Sequence, residues 1–175
     1  MTYLDEIKKS MDLLDKEGYY FIGQSVKYPG TGLYHTIKHV SEDRRIELPV
    51  FEDIQMGMST GMALEGLKVC SIYPRWDFLL LAANQLVNHL DRMKEMSDGQ
   101  YDPFIIIQTA VGSVKPLFPG PQHQGNYSEA FKKMLKYVRV IELRRAEDIV
   151  PTYKKVMEER VPTVIVEFPD LYDTE

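Results

Sequence analysis

One cysteine, Cys70, stands in 175 residues, so there is no internal disulfide framework, and a reducing compartment is the natural home. No long hydrophobic run is present: the longest, Phe78 to Ala83, falls far short of the roughly 20 residues that span a bilayer. Residues 1–16 alternate acidic, basic and apolar side chains and contain no signal-peptide stretch, so a cytoplasmic protein with no membrane association is expected. Basic blocks are missing too, and a net charge of −5 argues against a phosphate-tracking nucleic-acid surface. The 11 glycines and 10 prolines are too few for a low-complexity or collagen-like chain, and no internal repeat suggests a solenoid. What is present is the composition of one globular domain, 44% hydrophobic and 27% charged.

Leu4, Ile7, Met11 and Leu14 recur at helical spacing and Gly18 closes the pattern. Tyr19 to Gly23 reads as a strand, 28–32 as a turn-rich loop, and Arg45 to Pro49 as a second strand. Glu52 to Leu64 is compatible with helix and Lys68 to Tyr73 with strand. Trp76 to Met93 reads as one long helix with Leu79, Ala82, Leu86, Leu90 and Met93 on its apolar side, and Asp91 opposite or at its end. Phe104 to Ile107 is apolar on both faces, the mark of a central parallel strand. Thr109 to Gly125 has no periodicity and reads as a long loop. It is followed by a helix over Ser128 to Lys136 capped by Ser128, a strand over Val138 to Leu143, a helix over Ala146 to Glu159 and a last strand over Thr163 to Phe168. Pro151 predicts a kink in that last helix or a later start. Alternating strands and helices predict a three-layer α/β/α domain with a mainly parallel sheet, covering 1–170, with an acidic tail over 171–175.

The informative stretch starts at Glu52, followed after four residues by Gly57, then an apolar Met58, two residues and Gly61. Glycines four apart lie on one helix face and expose backbone to a close neighbour, although taken alone such a pair reads first as ordinary helix packing. Glu52 follows the strand-like Pro49-Val50-Phe51, so its carboxyl is expected at a strand-to-helix junction, where α/β sheets place ligands. This pattern resembles the thiamine-diphosphate enzymes, specifically the pyrimidine-binding domain of transketolase-like enzymes and of beta subunits of 2-oxo acid dehydrogenases such as pyruvate dehydrogenase. There the motif often ends in Gln, where this chain has Met62. The resemblance continues through Ala63 to Leu67, Phe78, Asn84 to Asn88 and Gly120-Pro121-Gln122-His123, and so covers nearly the whole chain.

The resemblance implies a pyrimidine-binding fold with defined roles. Glu52 would hydrogen-bond the pyrimidine ring nitrogen and stabilise the imino tautomer, so that the cofactor's own amine becomes the base for the thiazolium proton. Phe78 would stack on the ring, core packing being the alternative; His123 would serve a substrate carbonyl becoming an alkoxide, with an ordinary surface histidine as the alternative. Gly57 and Gly61 would sit at the cofactor interface. The family's Gly-Asp-Gly diphosphate motif has no counterpart. Ser97-Asp98-Gly99 lacks the first glycine and reads as a turn, so thiamine diphosphate would be shared with a partner chain that also holds Mg²⁺. The expected partner is a diphosphate-domain, alpha-type subunit, in a homodimer or heterotetramer, and no C-terminal transketolase-type domain is expected in this chain. The implied activity is cleavage of the carbon-carbon bond next to a carbonyl, first 2-oxo acid decarboxylation, with ketol transfer from a ketose or a non-catalytic assembly module as alternatives.

Other motifs carry less. His35 and His39 have helical metal spacing but no supporting Glu or Cys pattern, so no metal ligand is assigned in this chain. Gly30-Thr31-Gly32 lacks the Lys-Ser/Thr end of a phosphate loop, and the Asn126-Tyr127-Ser128 sequon is idle without a secretory signal.

Overall fold

A computed structural model describes residues 2–114 and 118–174, so residues 115–117 of the expected loop, and the two terminal residues, lie outside it. In chain order the main elements are α1 (Tyr3–Lys16), β1 (Tyr20–Gly23), α2 (Tyr34–Ile37), β2 (Arg45–Glu47), α3 (Glu52–Leu64), β3 (Val69–Ile72), α4 (Trp76–Leu79), α5 (Met93–Met96), β4 (Ile105–Ala110), α6 (Ser128–Met134), β5 (Arg139–Glu142), α7 (Ala146–Glu159) and β6 (Thr163–Glu167). The six strands form one sheet in the order β2-β1-β3-β4-β6-β5, and every pairing is parallel. The expected mainly parallel sheet is therefore wholly parallel.

Side-chain alternation along the strands divides the core in two. Phe21 and Ile106 face a cluster with Ile7, Met11 and Leu14 of α1 and Ile149, Tyr153 and Val156 of α7. Ile22, Ile105 and Ile107 face the other cluster, with Met56 of α3, Trp76 and Leu79 of α4 and Phe131 of α6. Both faces of β4 are thus covered, which is why its sequence is apolar without alternation. Tyr3 N and Leu4 N donate to the carbonyls of Thr174 and Tyr172, so the chain's C-terminal residues lie along the start of α1.

Four expectations need correction. The stretch over Trp76 to Met93 is not one α-helix: α4 gives way to a tighter turn at Leu80–Ala82 and then to a wide π-type turn at Gln85–Leu90, where Asp91 N reaches Leu86 O at 3.0 Å. The apolar periodicity is kept, but Asp91 turns inward. Its carboxylate is buried and accepts the amides of Lys136, Tyr137 and Val138 at 2.8–3.0 Å, neutralising donors that the start of β5 leaves unpaired. Ser128 is not a cap; it is the first residue of α6, and its amide and hydroxyl both donate to Asn126 Oδ1. The loop expected from Thr109 begins later, because Thr109 and Ala110 pair with β6. The later start offered for the last helix is not taken: α7 starts at Ala146, and Pro151 lies inside it at the cost of the one ladder bond its missing N–H would have made to Glu147.

Candidate active site at the carboxyl edge of the sheet

The connections from β1 run one way to β2 and then back across to β3, so the carboxyl ends of β1 and β3 flank a point where strand order reverses. Open parallel sheets bind ligands at such points. Here the first turns of α3 are seated on that crevice. Gln55 Nε2 donates to the carbonyls of Ile22 and Ile72, at the ends of β1 and β3, and to Ser71 Oγ. Gly23 makes the approach feasible, because a Cβ there would overlap the Ile72 carbonyl oxygen.

This seating places Glu52 at the first position of α3, 3% exposed, with its backbone carbonyl accepting the Tyr73 hydroxyl at 3.2 Å. Gln24, the residue after β1, donates its Nε2 to Glu52 Oε1 at 3.0 Å. Among the described residues, Oε2 accepts no hydrogen bond. A carboxyl with one oxygen satisfied and the other open has room for one more polar partner. Such an oxygen can accept a hydrogen bond from any N–H or O–H donor, or share a proton with a weak base such as a ring nitrogen.

Phe78 lies half-buried in α4, and His123 lies in the turn Pro121–His123. Their rings meet at 5.5 Å with a 42° tilt. The structure thus brings together two residues 45 positions apart, both on segments that leave carboxyl ends of the sheet. Gly57 is half-buried, and a Cβ there would stand 3.9 Å from the Gln85 side chain. Gly61 is exposed, and nothing lies within 4 Å of where its Cβ would be. Phe51 (59% exposed), just before α3, and Ile54 and Met58 on it are exposed, as are Leu80 and Leu81 (62%) of the turn that packs against α3. Large apolar side chains left open on two packed elements are candidates for an interaction surface.

A concavity of about 650 Å³ lies elsewhere, bordered by Leu4, Gly32, His35, Asp170 and Tyr172. Neither it nor the small one of about 50 Å³ beside Arg75 and Gly112 is lined by Glu52, Phe78 or His123. We give the buried carboxyl more weight than the larger hollow, since the former combines a desolvated polar group with an exposed apolar wall. His39 pairs with Asp12 at 2.9 Å, and among the described residues no three His, Cys, Asp or Glu side chains are grouped to hold a metal ion. Ser97-Asp98-Gly99 closes α5 as a turn, with Asp98 and Gly99 both left-handed and Gly99 N bonded to Lys94 O. No helix among the described residues is long and apolar enough to cross a membrane.

One contributor was not singled out from sequence: Gln24 could have been noticed as a polar residue immediately after a strand's carboxyl end.

No family model matches the chain. Three curated proteins named pyruvate dehydrogenase E1 component subunit beta are similar to it. That of Gracilaria tenuistipitata var. liui is 23% identical over 175 residues, covering 97% of this chain and 53% of its own. Those of Cyanidium caldarium and Porphyra purpurea are each 25% identical, covering 88% and 87% of this chain. The chain spans about half the length of the curated relatives it matches. Among solved structures, a split-gene transketolase described as an inactive beta4 tetramer superposes with a TM-score of 0.73 at 14% identity, covering 97% of this chain and 52% of that one. A thiamine diphosphate-dependent 4-hydroxybenzoylformate decarboxylase of Rhodococcus jostii RHA1 superposes with a TM-score of 0.67 at 15% identity, covering 100% and 31%. The resemblance to the beta-type, pyrimidine-binding domain of thiamine-diphosphate enzymes is therefore carried by sequence relatives and by fold alike.

Proposed function

We propose that this chain is the pyrimidine-side, beta-type subunit of a thiamine-diphosphate enzyme that cleaves the bond between a carbonyl carbon and its neighbour, with 2-oxo acids as the substrate class. The observation that carries the reading is Glu52, buried at the strand-order reversal with one carboxyl oxygen that accepts no hydrogen bond among the described residues. When bound, thiamine diphosphate supplies a carbanion equivalent at its thiazolium carbon and an electron sink for the cleaved bond. Glu52 holds a proton at the pyrimidine ring nitrogen, and Gln24 fixes the carboxyl's orientation by occupying Oε1. Phe78 presents an apolar ring face that excludes water from the pyrimidine. His123, held against Phe78, carries a proton toward the substrate oxygen.

The diphosphate and its Mg²⁺ fall to an alpha-type partner in this reading. The exposed Phe51, Ile54, Met58, Leu80 and Leu81 are a wall whose opposite side that partner provides, with Gly61 admitting a close helix. Ile54→Asp is expected to weaken assembly with such a partner by 100-fold or more, as for a central apolar anchor, while leaving the isolated chain's melting temperature unchanged; pull-down and thermal unfolding check the two halves.

Decarboxylation of a 2-oxo acid is preferred because the curated relatives are named as subunits of pyruvate dehydrogenase, whose substrate is a 2-oxo acid. The split-gene transketolase fold makes ketol transfer the second reading. The deciding experiment mixes the chain with a diphosphate-domain chain, thiamine diphosphate and Mg²⁺, and follows CO₂ release from short 2-oxo acids beside two-carbon transfer from ketose phosphates. CO₂ release is expected. Transfer without CO₂ release would select the second reading.

A further inference from the structure

The turn that bears His123 is tied to α4 through a side chain with no role assigned so far. Asp77 Oδ1 accepts the amide of Gly125 at 3.2 Å and the hydroxyl of Tyr127 at 3.5 Å. The next residue, Phe78, carries the ring on which the His123 imidazole rests. The carboxylate that holds Gly125 and the ring that holds His123 thus leave consecutive positions of one helical turn. From the other side Gly112 closes on the same turn so tightly that a Cβ would overlap the His123 carbonyl. Asp77 Oδ2, His123 Nδ1 and Gln124 Nε2 are all buried without hydrogen-bond partners among the described residues.

The geometry points to Asp77 as the positioning residue for His123: its carboxylate, by holding Gly125, fixes where the imidazole stands over Phe78. The catalytic consequence rests on the reading of His123 given above; the positional effect does not. Asparagine at position 77 keeps an acceptor oxygen at the same reach. Serine keeps a polar group in the first turn of α4 but is too short to meet Gly125 N.

The test is the position of the His123 ring-proton signals in ¹H–¹³C spectra of the isolated chain, identified by the loss of the Phe78 ring-current shift in F78L. In D77S the His123 signals are expected to move to their F78L positions while those of His35, His39 and His89 stay; in D77N they stay as well. An unmoved His123 signal in D77S overturns the inference, as does displacement of all four histidines together, which would mark a fold-wide role. An amide-to-ester replacement of the Gln124–Gly125 peptide bond, which removes the accepted N–H without adding a Cβ that would overlap the Tyr127 ring, gives the same reading should D77S not fold: His123 moves if the inference holds and stays if it does not. In the reconstituted complex, D77S is expected to lose kcat by the same factor as H123A, about 100-fold, with no further loss in the double variant and no change in KM for thiamine diphosphate. Because the spectra need neither partner nor turnover, failure of the proposed function would leave the effect on His123 in place, and failure here would leave Glu52 unaffected.

Discussion

Glu52→Gln is expected to slow loss of the thiazolium proton of bound thiamine diphosphate by at least about 100-fold, in the range that a positioned acid-base group contributes. The substitution is nearly isosteric. Its amide oxygen can still accept Gln24 Nε2, and the backbone carbonyl that accepts Tyr73 is untouched, so folding and assembly should persist. What is lost is a carboxyl able to share a proton at its free oxygen. Quenched hydrogen-deuterium exchange, read by NMR on the recovered cofactor, measures the rate in the reconstituted pair. An exchange rate equal to that of the unaltered pair would remove Glu52 from the role proposed for it.

The second large effect concerns a carboxyl outside the site. Glu167, at the end of β6, is fully buried; Gln108 Nε2 and the Tyr172 hydroxyl donate to it, and among the described residues no cation is paired with it. Burial pushes its pKa up from 4.5 to about 7, more than these two hydrogen bonds bring it down. Tyr3, Tyr153, Tyr172 and Cys70 around it are pushed upward by burial and stay neutral across this range. Below pH 4.5 Glu167 is neutral in both folded and unfolded chains and costs nothing. Between pH 4.5 and 7 the folded chain keeps a proton that the unfolded chain releases, so stability falls with rising pH by about 1.4 kcal/mol per unit. Above pH 7 the loss is complete, at about 3 kcal/mol. Glu167→Gln should therefore match the unaltered chain near pH 4.5 and exceed it by about 3 kcal/mol at pH 8 in urea unfolding. A gain independent of pH would show that the carboxyl titrates alike in the folded and unfolded chains and carries no upward shift.

Elements whose apolar pattern settles their environment were legible in the sequence. Both ends of α3 and of α7 fall where the patterns of 52–64 and 146–159 place them, and 104–107, apolar throughout, reads directly as a covered strand. Hydrogen-bond register is a different matter. Changing from tight to wide turns between Leu80 and Leu90 leaves the apolar spacing nearly intact, so nothing in the residue pattern signals it. Buried charges are hidden for a related reason: Asp91 and Glu167 are satisfied by groups 45 and 59 positions away, which only the assembled sheet brings near.

The candidate site divides along the same line. Glu52, Phe78 and His123 were reachable through the resemblance, because its motifs are local. Gln24 meets Glu52 across 28 positions, and Asp77 meets Gly125 across 48, so their parts depend on how β1, β3 and the later loop converge. The apolar wall was also illegible in advance. Phe51, Ile54 and Met58 have the same composition as core residues, and only the placement of α3 shows which side of the helix is left uncovered.

The central claim, a cofactor held half by this chain and half by another, is tested most directly by calorimetric titration of thiamine diphosphate in the presence of Mg²⁺. The chain alone should give no saturable heat; the chain mixed with a diphosphate-domain partner should take up the cofactor saturably. Tight uptake by this chain alone, or none by the pair, would contradict the account.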